Sequence, residues 1–251
     1  TGMDVWKSFA RNTDEAGLVR AVYPDGVHWE KSLGYHNGCI QWYATPFILG
    51  QRNGDPWAGE YAERLRGMAA FTDALILPDG TIPLLSDSDR VAGWKRSLAL
   101  IKAMFPDMSF RFSVAPTYAS IWRCDGASWE SESNGAKPQA TVFPDGGVGV
   151  VRNKRGDSVL ILDNGPTNAG HSHTDNLTIH YEAKGEPVIV DPGRAVYRAD
   201  ADREWVVSAQ SHNTVYPAQP LPGRGAYVSQ NAFLRVGPDD PRVGPMEASE
   251  E

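Results

Sequence analysis

The sequence has little of several features that mark common protein classes. It contains only two cysteines, Cys39 and Cys124, so it cannot form a disulfide framework, and nothing supports a single disulfide between them. No run of about 18 apolar residues occurs, so we expect no contact with a membrane. Lys and Arg number 24 against 31 Asp and Glu, and this acidic balance argues against nucleic acid as a partner.

The composition is that of a globular protein. Hydrophobic residues make up 41% and charged residues 22% of the 251 positions, a length that suits one or two domains. The first residues, TGMDVWKSFA, lack the basic and apolar regions of a signal peptide. We expect the sequence to be a piece of a longer protein, in which case a missing signal peptide does not indicate the compartment.

Hydrophobic residues follow a helical spacing in the first half of the chain. Steps of three, four and seven residues predict amphipathic helices. We expect Pro46 to kink or end the first of them. The predicted helices cover residues 33–48, 57–75, 94–105 and 117–122.

Near residue 135 the spacing changes to the period of two that is typical of strands. Turn-forming sequences at residues 144–147 and 184–187 lie between apolar runs and predict hairpins. The predicted strands cover residues 141–143, 148–151, 159–162, 177–181, 188–190, 214–216 and 227–236.

Helices followed by strands predict an α+β protein with two parts. We place a helical domain at residues 1–134 and an antiparallel β-sheet domain at residues 135–251.

Four of the six histidines lie in the predicted β-sheet domain. His171 and His173 are two residues apart, so on an extended segment they face the same side. Asp191 and His212 follow in neighbouring β segments. Imidazole nitrogens and a carboxylate oxygen are ligands that suit zinc, so these residues are candidates for a zinc site. The alternative is that they are ordinary hydrogen-bonded histidines near turns.

A second group of polar residues lies at the start of the first predicted helix. Tyr35 could present its hydroxyl in a cleft as a proton donor or acceptor. The alternative is that Tyr35 packs between helices with its hydroxyl hydrogen-bonded. We predict that the neighbouring His36 binds substrate. Arg203 has the guanidinium fork that recognises carboxylates, although a lone arginine is more often a solvated partner in a salt bridge.

Together these motifs resemble the heparinase II/III-like polysaccharide lyases. The run GHSHTDNLTIHYEAKGEPVIVDPG and the later SHNTV are similar to the β-domain signature of that family. The upstream PDGVHWEKSLGYH and LPDGTIPLLSDSD are similar to segments of its helical part. The resemblance implies a partial (α/α) helical toroid followed by an antiparallel β-sandwich domain. It covers roughly residues 22–92 and 140–216.

The resemblance also implies a carbon–oxygen lyase that cleaves uronic-acid-containing polysaccharides, of the alginate or glycosaminoglycan type, by β-elimination. Tyr35 matches the catalytic tyrosine of the family, and His171 matches a histidine that lines the catalytic centre. Tyr197 and Arg203 match positions near the substrate. The resemblance implies a mostly structural zinc ion near the cleft, at positions matched by His173, Asp191 and His212.

One departure from the family pattern concerns the carboxylate of the uronate. The family supplies an Asn or His from an earlier toroid helix to neutralise this carboxylate. No matching motif precedes Tyr35, and Asn12 lies in a polar stretch that suits the role poorly. The chain alone could therefore be inactive while its parent is an enzyme.

Two other functions fit parts of the sequence. A toroid-type glycoside hydrolase would need two carboxylates at the scissile bond, for which Asp87 and Asp89 are the nearest candidates. A non-catalytic, zinc-containing carbohydrate-binding or structural module would need only the histidines. As partners we expect an acidic polysaccharide, with a homodimer as a candidate assembly, and as location the periplasm or the exterior of the cell.

Overall fold

The structure is a computed structural model, and it describes residues 17–55, 58–90, 93–130, 140–166, 171–198 and 200–216, together with Val5 and Ser8. The chain forms two compact units, neither of which is continuous in sequence. Unit 1 contains residues 1–28, 36–73 and 93–137, and unit 2 contains residues 29–35, 74–92 and 138–251. Unit 2 thus includes two segments that the division at residues 134 and 135 assigns to the helical part.

Unit 1 is helical. Four helices carry the predicted hydrophobic stripes, and the first of them begins with three residues of unit 2. The side chain of Thr117 caps the last helix by accepting a hydrogen bond from the Ser120 backbone. The helices are α1 (Leu33–Asn53), α2 (Ala58–Leu75), α3 (Trp94–Met104) and α4 (Tyr118–Arg123).

Pro46 does not end the first helix, because α1 continues to Asn53. Pro46 lacks the N–H that would bond to the carbonyl four residues earlier. Ile40, Ala44 and Phe47 are fully buried on both sides of it. Packing of a buried face contributes most of the stability of a helix in a protein, and here it outweighs the lost hydrogen bond.

His36 lies inside unit 1. Its side chain is fully buried, its Nε2 is 2.9 Å from the carbonyl oxygen of Met68, and its ring packs edge-on against Phe71. A buried imidazole offers no surface to a polysaccharide, so His36 leaves the set of predicted substrate-binding residues. Burial lowers the pKa of His36 to about 4, although the hydrogen bond with Met68 opposes this shift.

The buried His36 predicts a loss of stability in mild acid. Its pKa is lower in the folded protein than in the unfolded chain, so the unfolded chain binds the proton first as the pH falls. Between pH 7 and pH 4 the wild type should lose about 3 kcal/mol more unfolding free energy than His36→Gln. Urea unfolding of both proteins at several pH values measures this difference, and parallel pH dependences would contradict it.

Unit 2 contains a five-stranded antiparallel sheet whose strands pair in chain order. Hairpin turns occur where the sequence predicts them, and Lys184 and Gly185 of the last turn both have positive φ angles, as tight hairpins require. The strands are β1 (Ala140–Phe143), β2 (Val148–Arg152), β3 (Val159–Asp163), β4 (Thr178–Ala183) and β5 (Glu186–Ile189). A short helix, α5 (Ala201–Val206), follows the sheet.

Two strand predictions need correction. Leu177 does not begin β4, because its φ of 65° is left-handed and incompatible with a strand. Residues 214–216 are not in a strand, and the side chain of Thr214 bonds instead to the carbonyl of Asn176. The predicted strand at residues 227–236 lies outside the described residues.

Neither Cys39 nor Cys124, both within the described residues, forms a disulfide. Across the part of the chain that the structure describes, no helix has both the length and the apolar character needed to cross a membrane.

Candidate active site

Tyr35, His171 and Tyr197 come together in unit 2. Tyr35 lies in the first turn of α1, and its ring stacks on that of His171 with 3.6 Å between ring centroids and 10° between planes. The hydroxyls of Tyr35 and Tyr197 are 2.8 Å apart. The sequence predicted a site role for all three residues, although Tyr35 lies more than a hundred positions before the other two.

Asp87 is the buried carboxylate beneath this group. Its Oδ2 is 2.9 Å from Nδ1 of His171, and its Oδ1 is 2.8 Å from Nε2 of His173. Both terminal nitrogens of Arg203 donate to it, one to each oxygen, at 2.5 and 2.8 Å. One carboxylate therefore joins the stacked pair to a predicted metal ligand.

The backbone of Asp87 is fixed as firmly as its side chain. Its N–H donates to the carbonyl of His171 at 3.1 Å, and its own carbonyl accepts from the hydroxyl of Ser32 at 2.9 Å. The hydroxyl of Ser88 accepts from the N–H of Leu33 at 2.9 Å, at the start of α1. These bonds connect the loop of Asp87 to the segment that carries Tyr35.

Asp87 is negatively charged in this setting. Burial alone would raise its pKa, but hydrogen bonds from His173, Arg203 and His171 together outweigh burial and hold the pKa well below its usual range. Arg203 therefore neutralises Asp87, and both terminal nitrogens of Arg203 take part in this pairing.

The guanidinium groups of Arg194 and Arg203 lie over the ring of Tyr197, at 4.9 and 5.4 Å from its centroid. Partial burial, followed by the hydrogen bond with Tyr35, raises the pKa of the Tyr197 phenol. Tyr197 therefore stays protonated at neutral pH and can hydrogen-bond to Tyr35.

His173, Asp191 and His212 form the predicted metal-ligand group. One potential ligand atom from each residue lies within 4.8 Å of the others, and all three residues are buried. Nδ1 of His212 is 2.6 Å from Oδ2 of Asp191, and that contact raises the pKa of His212 against the effect of burial. The structure thus brings together the three residues that the sequence grouped.

These residues fit a zinc ion. Among the described residues, Nδ1 of His173 and Nε2 of His212 are buried without a hydrogen-bond partner, and unpaired buried polar atoms are costly in a folded protein. Nε2 of His173 bonds to Asp87, so its Nδ1 is the nitrogen available to a metal. Two imidazoles and one carboxylate are a donor set that zinc accepts, with a fourth position left for another ligand.

Lys31 holds the segment that carries Tyr35. Its buried ammonium donates to Asp163 at 3.0 Å, at the end of β3, and lies 3.8 Å from a carboxylate oxygen of Asp175. Lys31 also has a left-handed φ of 56°, a conformation that non-glycine residues adopt at a cost. Burial raises the pKa of Asp163, and the charge of Lys31 opposes this shift.

Gly193 lets the segment after Asp191 approach the loop of Asp87. Its φ is +66°, and a Cβ there would be 2.7 Å from the carbonyl oxygen of Ser88. The Gly193 N–H also donates to Oδ1 of Asp191 at 3.1 Å. The absence of a side chain is thus a requirement of the site.

We expect Gly193→Ala to destabilise the fold much more than Gly80→Ala. Both glycines have positive φ, so each substitution should cost about 1 kcal/mol of backbone strain. Gly80 has open space at the position of a Cβ, whereas Gly193 does not. Crowding should add roughly 1–3 kcal/mol at Gly193 alone. Urea unfolding of both variants measures the difference, and equal losses would show that the contact with Ser88 relaxes without cost.

Sequence reasoning missed the roles of Asp87 and Lys31. Asp87 was a candidate only for the hydrolase function, and Lys31 had no role. The acidic run SDSD in a loop is a signal for the first, but it does not identify the partners of Asp87. Asn12, the poor candidate for neutralising a uronate, lies outside the described residues.

Solved structures of other proteins share the fold of this chain. Solved structures with the same fold include a heparinase III gene product, at 22% identity with a TM-score of 0.65, covering 84% of this chain and 33% of that one. A second is heparan sulfate lyase HepC from Pedobacter heparinus, at 20% identity with a TM-score of 0.66, covering 84% and 33%. This chain spans about a third of the length of these proteins.

The fold is therefore the predicted α+β one, a partial helical toroid followed by an antiparallel β-sandwich domain, of which the described residues include one five-stranded sheet. The profile of the heparinase II/III N-terminus matches residues 3–111, and that of the heparinase II/III-like C-terminal domain matches residues 135–218. The chain belongs to the heparinase II/III-like family. Among curated proteins, none matches its sequence.

Proposed function

We propose that this chain forms part of a polysaccharide lyase that cleaves uronic-acid-containing glycosaminoglycans by β-elimination. The observation that carries the proposal is the contact of Tyr35 with His171 and Tyr197. The ring of Tyr35 stacks on that of His171, its hydroxyl contacts the hydroxyl of Tyr197, and His171 contacts the ionised carboxylate of Asp87. Two solved structures of the same fold bear the names heparinase III and heparan sulfate lyase. Heparan sulfate is therefore the first substrate to test, and alginate the second.

The reaction needs an acid and a base on a uronate. The proton on C5, next to the carboxylate, leaves to a base, a C4–C5 double bond forms, and the C4–O bond to the preceding sugar breaks. In our proposal His171 accepts the C5 proton and the Tyr35 hydroxyl gives its proton to the leaving oxygen. Tyr197 hydrogen-bonds to Tyr35 and thereby orients that hydroxyl.

We also propose that the group of His173, Asp191 and His212 binds zinc as a structural ion. The support is the donor set and the two buried ring nitrogens without partners. A zinc ion there would neutralise Asp191 and fix the loops that carry these ligands, next to the loop that carries His171. The residues of the chain, and not the ion, would contact the reacting sugar in this proposal.

The first experiment combines metal analysis with a lyase assay on the same purified chain. Each candidate polysaccharide is incubated with the chain, and the unsaturated uronate product is followed by its ultraviolet absorbance. The proposal expects product from heparan sulfate and a stoichiometric amount of zinc. Binding of sugar without product would instead favour a non-catalytic carbohydrate-binding module.

The two carboxylates considered for a glycoside hydrolase, Asp87 and Asp89, are both engaged in other contacts. Asp87 is buried with both oxygens engaged by Arg203 and two histidines, and Asp89 pairs with Arg194 at 2.7 Å. A hydrolase would need one protonated and one free carboxyl group at the bond.

A periplasmic or secreted location and a homodimer stay predictions.

A further inference from the structure

Two imidazoles with different proposed tasks share one carboxylate in unit 2. His171 contacts Asp87 through Nδ1, whereas His173 contacts it through Nε2. An ionised carboxylate accepts hydrogen bonds and cannot donate them. Both histidines must therefore carry a hydrogen on the nitrogen that faces Asp87. The neutral form of His171 then has its lone pair on Nε2, and that of His173 has its lone pair on Nδ1.

These are the forms that the two proposed tasks need. A proton acceptor needs a lone pair on the nitrogen that faces the substrate, and the side chain of His171 is partly exposed. A metal ligand needs a lone pair on the nitrogen that faces the ion, and Nδ1 of His173 is the buried atom without a partner. Which nitrogen carries the hydrogen is set by the hydrogen bond that the other one makes.

We propose that Asp87 is the positioning residue of this site, a single carboxylate that fixes the hydrogen of His171 for catalysis and that of His173 for metal binding. The catalytic half of this inference rests on the proposed lyase function, whereas the metal half does not. Asp87 touches neither substrate nor metal in this arrangement, and it acts through the two histidines.

Arg203 fits the same role. A carboxylate that accepts from two neutral imidazoles would still be a buried, uncompensated charge, which is costly. The paired bonds from Arg203 supply the compensating charge and fix the plane of the carboxylate, because a guanidinium fork binds both oxygens at once. The two imidazole bonds are then held in fixed directions, one at each oxygen.

The first test needs no variant. Nitrogen-15 labelling of the histidines of the metal-free wild type shows by NMR which ring nitrogen carries the hydrogen. The proposal expects hydrogen on Nδ1 of His171 and on Nε2 of His173, at a pH where both rings are neutral. Hydrogen on Nε2 of His171 would overturn it, whatever the activity of the chain.

The second test is Asp87→Asn, with Asp157→Asn as its control. Asp157 lies in the exposed turn after β2 and accepts from Asn153 and Ser158, so its variant removes the same charge away from the site. We expect Asp87→Asn to leave His171 as a mixture of its two neutral tautomers. It should also weaken zinc binding roughly 10–100-fold, as happens when a metal-ligating histidine loses the group that hydrogen-bonds to its other nitrogen. Zinc affinity is measured by competition with a chelator, using zinc alone as the ligand.

Activity separates this inference from the proposed function. If the wild type yields no product from any polysaccharide but Asp87→Asn shows the expected NMR and zinc changes, the chain alone is not a lyase and the positioning role in metal binding stands. If the wild type is active and Asp87→Asn keeps both its histidine forms and its zinc affinity, the inference about Asp87 fails. If Asp87→Asn does not fold, the wild-type NMR result decides.

Discussion

Tyr35→Phe should abolish most turnover while leaving the fold unchanged. The substitution removes one hydroxyl and keeps the ring that stacks on His171 at 3.6 Å. Transfer of a proton by a positioned side chain contributes about 100- to 10,000-fold to a rate, so we expect kcat to fall at least about 100-fold. KM should change little, because the lost interaction belongs to the transition state.

Tyr181→Phe is the matched control for this substitution. Tyr181 lies on β4 in the same unit and is half-buried, and it has no part in the contacts of the site. It should keep wild-type turnover, and both variants should keep the zinc content and unfolding midpoint of the wild type. Full turnover by Tyr35→Phe would exclude its hydroxyl as the proton donor and would leave His171 as the only acid–base group in our mechanism.

Features that depend on neighbours in the chain could be predicted from the sequence. Apolar residues at helical spacing gave α2 and α3 with bounds within a few residues, and alternation with turn sequences gave β1 to β4 in the same way. The continuation of α1 past Pro46 could not be predicted, because the local effect of proline is visible in the sequence, whereas the buried packing that sustains the helix around it is not.

The candidate site was predictable only where its residues share a short motif or match the family signature. Residue type and position grouped His171, His173, Asp191 and His212, and the family resemblance then implied His173, Asp191 and His212 as the metal ligands. Asp87 was missed because its partners His171 and Arg203 lie 84 and 116 residues away, and spacing along the chain does not encode such contacts. Lys31 was missed because nothing in the neighbouring sequence indicates its burial against Asp163.

Loss of a metal ligand should be the second large effect, and His173→Ala tests it directly. A ligand that binds only the folded state stabilises it by an amount that grows with its concentration, about 2.7 kcal/mol at 100 times the dissociation constant. Zinc should therefore raise the melting temperature of the wild type. It should not raise that of His173→Ala, whose remaining candidate ligands are Asp191 and His212.

His180→Ala separates the loss of metal from the loss of a buried ring. His180 is a fully buried histidine on β4, outside the metal-ligand group, so its removal also leaves a cavity. Both variants should melt below the wild type without zinc, but only His180→Ala should regain stability when zinc is added. If His173→Ala responds to zinc as strongly as His180→Ala does, then His173 is not a ligand. Its contact with Asp87 would then serve only to satisfy a buried polar side chain, because buried histidines need hydrogen-bond partners.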